Sequence, residues 1–128
     1  MPHITVEFSA NLDAELNMTA LCGDIKRTLL ASGLFELGAV RVRAFKAEAY
    51  AITDDHPANA FADVSVRIGA GRSDVEKKRL GEALFAMLTE RFGALLGQPH
   101  FALSLEIREI DPELSWKKNS MHARLRGK

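Results

Sequence analysis

This 128-residue chain has few of the residues that mark secreted, disulfide-linked or membrane-spanning proteins. Its single cysteine, Cys22, excludes an intrachain disulfide framework, and we interpret this thiol as a small core residue rather than a nucleophile. No apolar run reaches the ~18 residues of a membrane span. No basic segment followed by an apolar stretch marks a signal peptide near the amino terminus. We therefore expect a cytoplasmic protein.

The chain also lacks an excess of charge of either sign. Lysine and arginine together number 17, and so do aspartate and glutamate. Proteins that bind nucleic acid or an anionic membrane carry a basic excess or patch, which this composition does not offer. The four histidines have no metal-ligand spacing with the cysteine or with one another. We therefore predict no nucleic-acid partner, no membrane partner and no metal site.

What the chain does contain is enough apolar residues for one folded domain. The hydrophobic fraction of 47% is typical of a globular protein, and the length suits a single core. The first half, about residues 1–52, shows the alternation of a half-buried strand and then the period of an amphipathic helix. Its predicted elements are a strand containing Ile4, Val6 and Phe8, a helix over about residues 18–32 ended by Gly33, and a second strand over about residues 39–50.

The second half, about residues 60–110, repeats this order of elements. A glycine turn leads into Ser73, which has the spacing of a capping box with Glu76 and is better explained as a helix cap than as a nucleophile. The predicted elements are a strand containing Ala62, Val64, Val66 and Ile68, a helix from the Ser73 cap to about Leu96 ended by Gly97, and a strand containing Phe101, Leu103, Leu105 and Ile107.

Two strand–helix–strand units in succession predict an α+β fold of order βαββαβ within a single domain, residues 1–128. Each unit is expected to be a right-handed parallel crossover, which gives a four-stranded main sheet with both helices on one face. The other face needs cover, so we expect an oligomer in which another copy supplies it. The tail, residues 111–128, holds Trp116, which we interpret as an anchor onto this subunit or a neighbour. We interpret the basic residues of the tail as a solvated end rather than a binding patch.

Pro2 follows the first methionine directly and stands at the start of the first strand. One interpretation is structural, because a proline is tolerated where a strand begins. The other is chemical, because removal of Met1 would turn the Pro2 nitrogen into a secondary amine. A free α-amino group titrates near ~7.7–8.0, and burial and nearby cations lower that pKa. Such an amine is a general base at neutral pH.

Arginines that could hold an anionic substrate for this base occur in two places. Arg41 and Arg43 alternate onto one face of the second strand, and Arg72 lies in the glycine turn before a helix N-terminus, where an anion is favoured. A guanidinium matches a carboxylate bidentately. The alternatives for these residues are a salt-bridged strand face and an ordinary loop cation. His3 shares a strand face with Thr5 and could also line a pocket.

The sequence resembles the tautomerase superfamily, and within it the 5-carboxymethyl-2-hydroxymuconate isomerase family, through four segments. They are Pro2-His3-Ile4-Thr5-Val6-Glu7, Arg41-x-Arg43, Ile68-Gly69-Ala70-Gly71-Arg72-Ser73 and the tail segment Trp116-Lys117-Lys118-Asn119-Ser120-Met121-His122-Ala123. The resemblance covers essentially the whole chain. Pro2 alone is weak evidence for this family. Its combination with the Gly-Ala-Gly-Arg turn and the tail is stronger evidence.

The resemblance implies a homotrimer of βαββαβ subunits with the tautomerase (MIF-like) fold. It implies isomerisation, without a cofactor, of 5-carboxymethyl-2-hydroxymuconate or a similar 2-hydroxydienoate in homoprotocatechuate (4-hydroxyphenylacetate) breakdown. The substrate is then a small di- or tricarboxylate. Carried over by residue, the base is Pro2 and the catalytic arginines are Arg41 and Arg72, with Arg43 and His3 as further substrate-binding residues. The sequence does not choose between Arg41 and Arg43.

Two other functions are compatible with the same residues. The first is another proline-based chemistry, such as dehalogenation, hydration or isomerisation of a different 2-hydroxydienoate. The second is a non-catalytic trimeric ligand-binding module, because a fold alone does not fix a function. If Met1 stays attached, the Pro2 nitrogen is a tertiary amide without useful basicity. Retention of Met1 without isomerase activity would therefore favour the module.

Overall fold

The computed structural model describes residues 1–127 and contains one four-stranded sheet with helices packed against it. In chain order the elements are β1 (His3–Ser9), α1 (Met18–Ala31), β2 (Arg41–Ala47), β3 (Ala60–Gly69), α2 (Asp74–Arg91), α3 (Gly93–Leu96), β4 (Phe101–Ile110) and α4 (Ser120–Arg126). Two short 3-10 turns also occur: Ala10–Leu12 follows β1, and Leu37–Ala39 precedes β2. Within the described chain, none of the helices combines the length and the apolar character needed to cross a membrane.

The strands lie in the order β2-β1-β3-β4. β1 and β2 are parallel, β3 and β4 are parallel, and the two pairs meet at the antiparallel β1–β3 ladder. Each half of the chain is therefore a parallel strand pair joined through a helix. The register places His3 opposite Arg41 on one side and opposite Arg67 on the other. The order and pairing confirm the α+β fold class predicted from the sequence.

Both long helices pack on one face of this sheet, as predicted. The core-facing residues of β1 and β3 are at most 4% exposed, because every second side chain of a strand points to the same face. Apolar residues four positions apart form a single stripe along each helix. The packed side chains are Ile4, Val6 and Phe8 of β1, Ala62, Val64, Val66 and Ile68 of β3, Leu21, Ile25 and Leu29 of α1, and Leu80, Leu84 and Leu88 of α2.

The opposite face of the sheet is open in the single chain. Its side chains are polar or half-exposed, and Phe45 of β2 is 55% exposed. A single exposed aromatic side chain is normal on a protein surface and does not by itself mark an interface. The sequence-based expectation of a covering copy therefore stays a prediction.

Two element boundaries differ from the sequence prediction. β2 ends at Ala47 instead of about residue 50, because Ala47 pairs with Ser9, where its neighbour β1 ends. The long helix predicted to reach Leu96 is interrupted at Phe92, which divides it into α2 and α3. Phe92 is fully buried, and its ring stacks on Phe101 with centroids 5.0 Å apart. Packing against β4 thus sets the break, which the continuing apolar pattern does not show.

The tail also differs from its prediction. It contains the helix α4, and Asn119 caps this helix by accepting a hydrogen bond from the backbone N–H of Met121 at 2.9 Å. Trp116 is 86% exposed, so the prediction that it anchors the tail onto its own subunit is wrong. Contact of this indole with a neighbouring subunit stays a prediction.

Candidate active site

A cavity of about 580 Å³ opens beside the amino terminus. Three segments far apart in the sequence form it: the loop between α1 and β2, the glycine turn between β3 and α2, and the tail. The lining residues are Met1, Leu34, Phe35, Glu36, Ala39, Arg72, Lys117, Asn119, His122, Ala123 and Arg126. Several cationic side chains and the free amino group of the chain therefore share one concave space.

Pro2 is buried directly behind Met1, at the point where the chain enters β1. Its carbonyl oxygen accepts a hydrogen bond from the backbone N–H of Arg41 at 3.2 Å, next to the first pair of the β1–β2 ladder. Proline has no N–H to donate, and a strand start is a position where none is required. The ladder thus holds Pro2 directly behind Met1, which lines the cavity.

Arg72 joins the glycine turn to the loop that follows α1. Its Nη1 donates to the carbonyl of Gly69 at 3.1 Å, and its Nη2 donates to the carbonyl of Leu34 at 2.9 Å. The guanidinium lies 4.6 Å from the ring centroid of Phe35, within the range of a cation–π contact. Gly71 has φ +115°, which is accessible to glycine and strained for other residues. This turn and these contacts hold the guanidinium in the wall of the cavity.

The amino group of the chain has a lowered pKa in this environment. Burial is the largest cause, and Lys117, Arg72 and Arg41 follow in that order. Each cation repels the ammonium form, so the neutral amine is favoured. Removal of Met1 would place the amine on Pro2, which is buried where Met1 is half-buried. Lys117, Arg72 and Arg41 would then be the cations nearest to the Pro2 amine, one residue further along the chain.

The structure separates the two arginines that the sequence left as alternatives. Arg41 acts on the pKa of the amino terminus, and its Nη1 donates to the carbonyl of Ala39, a residue of the cavity wall, at 2.9 Å. Arg43 instead lies with its Nη1 3.3 Å from Nδ1 of His3, on the open face of the sheet. Arg41 is therefore near the amine, whereas Arg43 belongs with His3.

His3 lines a second, smaller cavity of about 280 Å³ that adjoins the first at the amino terminus. The pKa of its imidazole is lowered, first by burial and then by Arg67, Arg43 and Arg41. Because the surrounding cations disfavour the charged ring, His3 is neutral at pH 7 and can donate or accept a hydrogen bond. The structure places it near the amine but outside the larger cavity.

Residues of the tail complete the cavity and are not among the site residues predicted from the sequence. Asn119 donates from Nδ2 to the carbonyl of Gly38 at 2.8 Å, and Arg126 pairs bidentately with Glu36, with 2.6 Å between Nη2 and Oε1. Nδ1 of His122 lies 3.4 Å from Oε2 of Glu36, too far for a well-formed hydrogen bond, and is buried without a hydrogen-bond partner in residues 1–127. The tail is therefore docked onto the loop before β2.

Lys117 and Arg126 are exposed, as the prediction of a solvated end requires, and both also line the cavity, which the prediction did not include. One signal was available in the sequence, because Asn119 before an apolar and basic run is typical of a capped helix. No signal in the sequence indicated the surface onto which this helix docks, because Gly38 lies 81 residues from Asn119.

Three other predictions concern residues away from this cavity. Ser73 caps α2 in a complete capping box, because its Oγ accepts from the Glu76 N–H at 3.1 Å and its own N–H donates to Oε1 of Glu76 at 2.9 Å. Cys22 is half-buried on α1, and burial raises the pKa of its thiol, so it stays protonated at neutral pH. Across residues 1–127, no three His, Cys, Asp or Glu side chains gather in a way that could hold a metal ion.

Comparison with known proteins agrees with this arrangement. The family model described as 5-carboxymethyl-2-hydroxymuconate isomerase matches residues 2–125. The 5-carboxymethyl-2-hydroxymuconate Delta-isomerase of Escherichia coli is 36% identical over 123 residues, which are 96% of this chain and 98% of that protein.

Solved structures agree as well. A 5-carboxymethyl-2-hydroxymuconate isomerase from Deinococcus radiodurans R1 is 41% identical and superposes with a TM-score of 0.91, over 97% of this chain and 93% of that chain. A macrophage migration inhibitory factor-like protein from Entamoeba histolytica is 12% identical and superposes with a TM-score of 0.64, over 93% of this chain and 96% of that chain, so it shows the fold alone. Matches that span nearly the whole of both chains show the family: this chain belongs to the 5-carboxymethyl-2-hydroxymuconate isomerases.

Proposed function

We propose that this protein, once Met1 is removed, isomerises 5-carboxymethyl-2-hydroxymuconate or a similar 2-hydroxydienoate with Pro2 as the general base. The observation that carries the proposal is the amino terminus, whose pKa is lowered beside a cavity by burial, Lys117, Arg72 and Arg41. The substrate class comes from the family, because the E. coli relative is named for this isomerisation. We further propose that the reaction serves the breakdown of homoprotocatechuate.

Removal of Met1 is a requirement of this mechanism. While Met1 is attached, the Pro2 nitrogen belongs to a peptide bond, and resonance with the carbonyl removes its basicity. After removal, the nitrogen is a secondary amine. An α-amino group ordinarily titrates near ~7.7–8.0, and burial with neighbouring cations lowers that pKa. A larger fraction of the amine is then neutral and able to accept a proton at pH 7.

The isomerisation moves one proton and shifts the conjugated double bonds. The Pro2 nitrogen takes the proton of the 2-hydroxyl group, and the electron pair of the O–H bond forms the C=O double bond of a 2-oxo group. The double bonds shift along the chain, and the Pro2 ammonium returns the proton to a carbon further along the conjugated system. No atom is gained or lost, and no electron acceptor is needed.

Arg72 and Arg41 are the proposed carboxylate-binding and charge-stabilising residues. A guanidinium has five N–H donors, and Arg72 uses its Nη1 and Nη2 once each on backbone carbonyls. The remaining donors of Arg72 are available to a substrate carboxylate or to the negative charge that develops on the 2-oxygen. His3 is a proposed substrate contact in the smaller cavity, and Arg43 is proposed to act beside it, because its guanidinium contacts the His3 ring.

We also propose that the protein assembles as a homotrimer. The open face of the sheet carries the exposed Phe45 together with half-buried polar residues of β1 and β3. Closed symmetric assembly would bury this face in every subunit at once. The two helices already cover the other face, so the open face is the surface with area left to bury.

The test is a substrate panel assayed with protein whose mass shows the loss of Met1. We expect the highest kcat/KM with 5-carboxymethyl-2-hydroxymuconate, lower values with 2-hydroxymuconate, and no dehalogenation of chloroacrylates. Pro2→Ala should lower kcat by roughly a hundredfold or more with an unchanged far-UV circular dichroism spectrum. Turnover of other unsaturated 2-oxo acids alone would indicate a different tautomerase chemistry. Absence of turnover by Met1-free protein would favour a non-catalytic ligand-binding module. A near wild-type kcat in Pro2→Ala would exclude Pro2 as the base.

A further inference from the structure

Two cavities meet at the amino terminus, and only two of the lining residues are common to both. The larger cavity is about 580 Å³ and the smaller about 280 Å³, and both are lined by Met1 and Lys117. These residues therefore form the boundary between the two spaces. Because Met1 must leave before Pro2 can act, its removal would join the spaces into one cleft. Lys117 would then stand at the junction, next to the Pro2 amine.

Lys117 differs from the other cations of the larger cavity because its charge is not engaged. Arg126 is paired with Glu36, and Arg72 donates to two backbone carbonyls. In the part of the chain that the structure describes, the ammonium of Lys117 makes no hydrogen bond and no ion pair. Its charge is nevertheless the strongest of those that act on the amino terminus. It is therefore a cation close to the reacting amine with its donors available.

The fold limits where Lys117 can reach. It lies two residues before Asn119, whose side chain is bonded to the carbonyl of Gly38 at 2.8 Å. On the other side the tail continues from β4, which is paired to β3 up to Ile110. The ammonium is thus a flexible point charge with three donors on a backbone that is held at both ends. A flexible cation of this kind suits a charged group on a side branch of the ligand. The position of such a group varies more than the positions of the reacting atoms.

We infer that Lys117 determines substrate specificity by binding the carboxylate of the carboxymethyl branch, the group that distinguishes 5-carboxymethyl-2-hydroxymuconate from 2-hydroxymuconate. This inference rests on the proposed function and deepens it. The branched substrate has three carboxylates, and Arg72 and Arg41 account for two of them. Lys117 supplies a third cation, and it is the one that lines both cavities, where a branch would leave the main chain of the substrate.

The kinetic test compares Lys117→Met with Lys118→Met, a matched control because Lys118 is an exposed neighbour that lines neither cavity. Both substrates are assayed on the alkaline plateau of each pH profile, where the amine is neutral and its pKa no longer matters. Lys117→Met should lower kcat/KM for the branched tricarboxylate roughly ten- to a hundredfold, and for 2-hydroxymuconate less than about threefold. Lys118→Met should change neither value. An equal loss with both substrates, or no loss with either, overturns the inference.

A binding test makes the outcome independent of turnover. Tricarballylate and glutarate differ only by one carboxylate, and their affinities for the Met1-free protein can be measured by isothermal titration calorimetry. Wild type and Lys118→Met should bind tricarballylate at least about tenfold more tightly than glutarate, and Lys117→Met should lose this preference. No preference in wild type, or a preference that survives in Lys117→Met, contradicts the assignment. Failure of the proposed function would show differently, as absence of wild-type turnover, and the titration would still decide the role of Lys117.

Discussion

Replacing Arg72 by alanine should lower both the stability of the protein and its activity. A turn arginine that faced only a ligand would have little effect on stability. Here the guanidinium donates to the carbonyls of Gly69 and Leu34 at 3.1 and 2.9 Å and lies 4.6 Å from the Phe35 centroid. Its loss therefore releases the loop after α1 from the turn before α2, in addition to removing a cation from the cavity.

The size of the stability effect follows from the contacts that are lost. Each hydrogen bond from a charged donor is worth ~1.5–3 kcal/mol, and a partly exposed cation–π contact about 0.5–1 kcal/mol. Arg72 is half-buried, so water replaces part of these interactions in the variant. We expect the free energy of unfolding to fall by about 2 kcal/mol, which is roughly 5–10 °C in Tm. The comparison needs equal protomer concentrations, because assembly makes Tm depend on concentration.

The pH dependence of activity should also change. The amine acts as a base only when it is neutral, so kcat/KM rises as the pH passes its pKa. Arg72 lowers that pKa by repelling the ammonium form. Without Arg72 the pKa rises, and the acidic limb of the profile moves to higher pH. On the alkaline plateau, loss of carboxylate binding should still lower kcat/KM roughly ten- to a hundredfold.

Two variants separate the contributions of Arg72. Arg72→Lys keeps a cation but loses the fork that reaches both carbonyls, so its acidic limb should stay near that of wild type while its Tm falls. Arg79→Ala removes an exposed cation of α2 that does not line the cavity, and it should change neither quantity. If Arg72→Ala melts at the wild-type temperature and has the wild-type pH profile, Arg72 neither holds the loop after α1 to the glycine turn nor forms the anion site.

Three further outcomes follow from the same contacts. Arg41→Ala should move the acidic limb of kcat/KM to higher pH, whereas Arg43→Ala should not, because Arg43 is not among the cations that act on the amine. Equal shifts in the two variants would contradict the assignment of Arg41, and not Arg43, to the surroundings of the amine. Gly38→Ala should lower stability by about 1–3 kcal/mol and weaken amide protection in α4, because a Cβ there would lie 2.8 Å from Nδ1 of His122. Gly93→Ala is the control, since a Cβ there meets nothing within 4 Å, and equal melting temperatures of the two variants would argue against docking of α4. Sedimentation equilibrium should give a mass near three times 14.1 kDa, and a stable, active monomer at micromolar concentration would exclude the trimer.

Much of the fold could be predicted because strand alternation and helical stripes are local properties of a sequence. Ile4, Val6 and Phe8 show the period of a strand, and Leu21, Ile25 and Leu29 show that of a helix, and all six are buried as expected. The break at Phe92 could not be predicted. Apolar residues continue at helical spacing beyond it, and the break depends on stacking against Phe101 from another strand. Tertiary packing decided that boundary.

The candidate site could be predicted only in part, for a similar reason. Pro2 and Arg72 stand in recognisable local segments; Arg72 lines the cavity, and Pro2 is buried directly behind Met1, which lines it. The tail could not be assigned to the site, because its position depends on the bond from Asn119 to Gly38 and on other contacts between residues far apart in the sequence. Lys117 is exposed, as expected, but its place on the cavity wall could not be foreseen. A cation that acts by proximity alone leaves no pattern in the sequence, and only the folded chain shows what it approaches.

The role of Pro2 as the base is tested most directly by measuring kcat/KM on two preparations of the wild-type sequence. Mass spectrometry would show that one lacks Met1 and that the other, expressed with methionine aminopeptidase inhibited, retains it. We predict that the Met1-free protein isomerises 5-carboxymethyl-2-hydroxymuconate, with an acidic limb below the ordinary α-amino range of ~7.7–8.0. We predict that the activity of the second preparation is limited to its Met1-free fraction. Equal turnover by protein that carries Met1 would contradict Pro2 as the base.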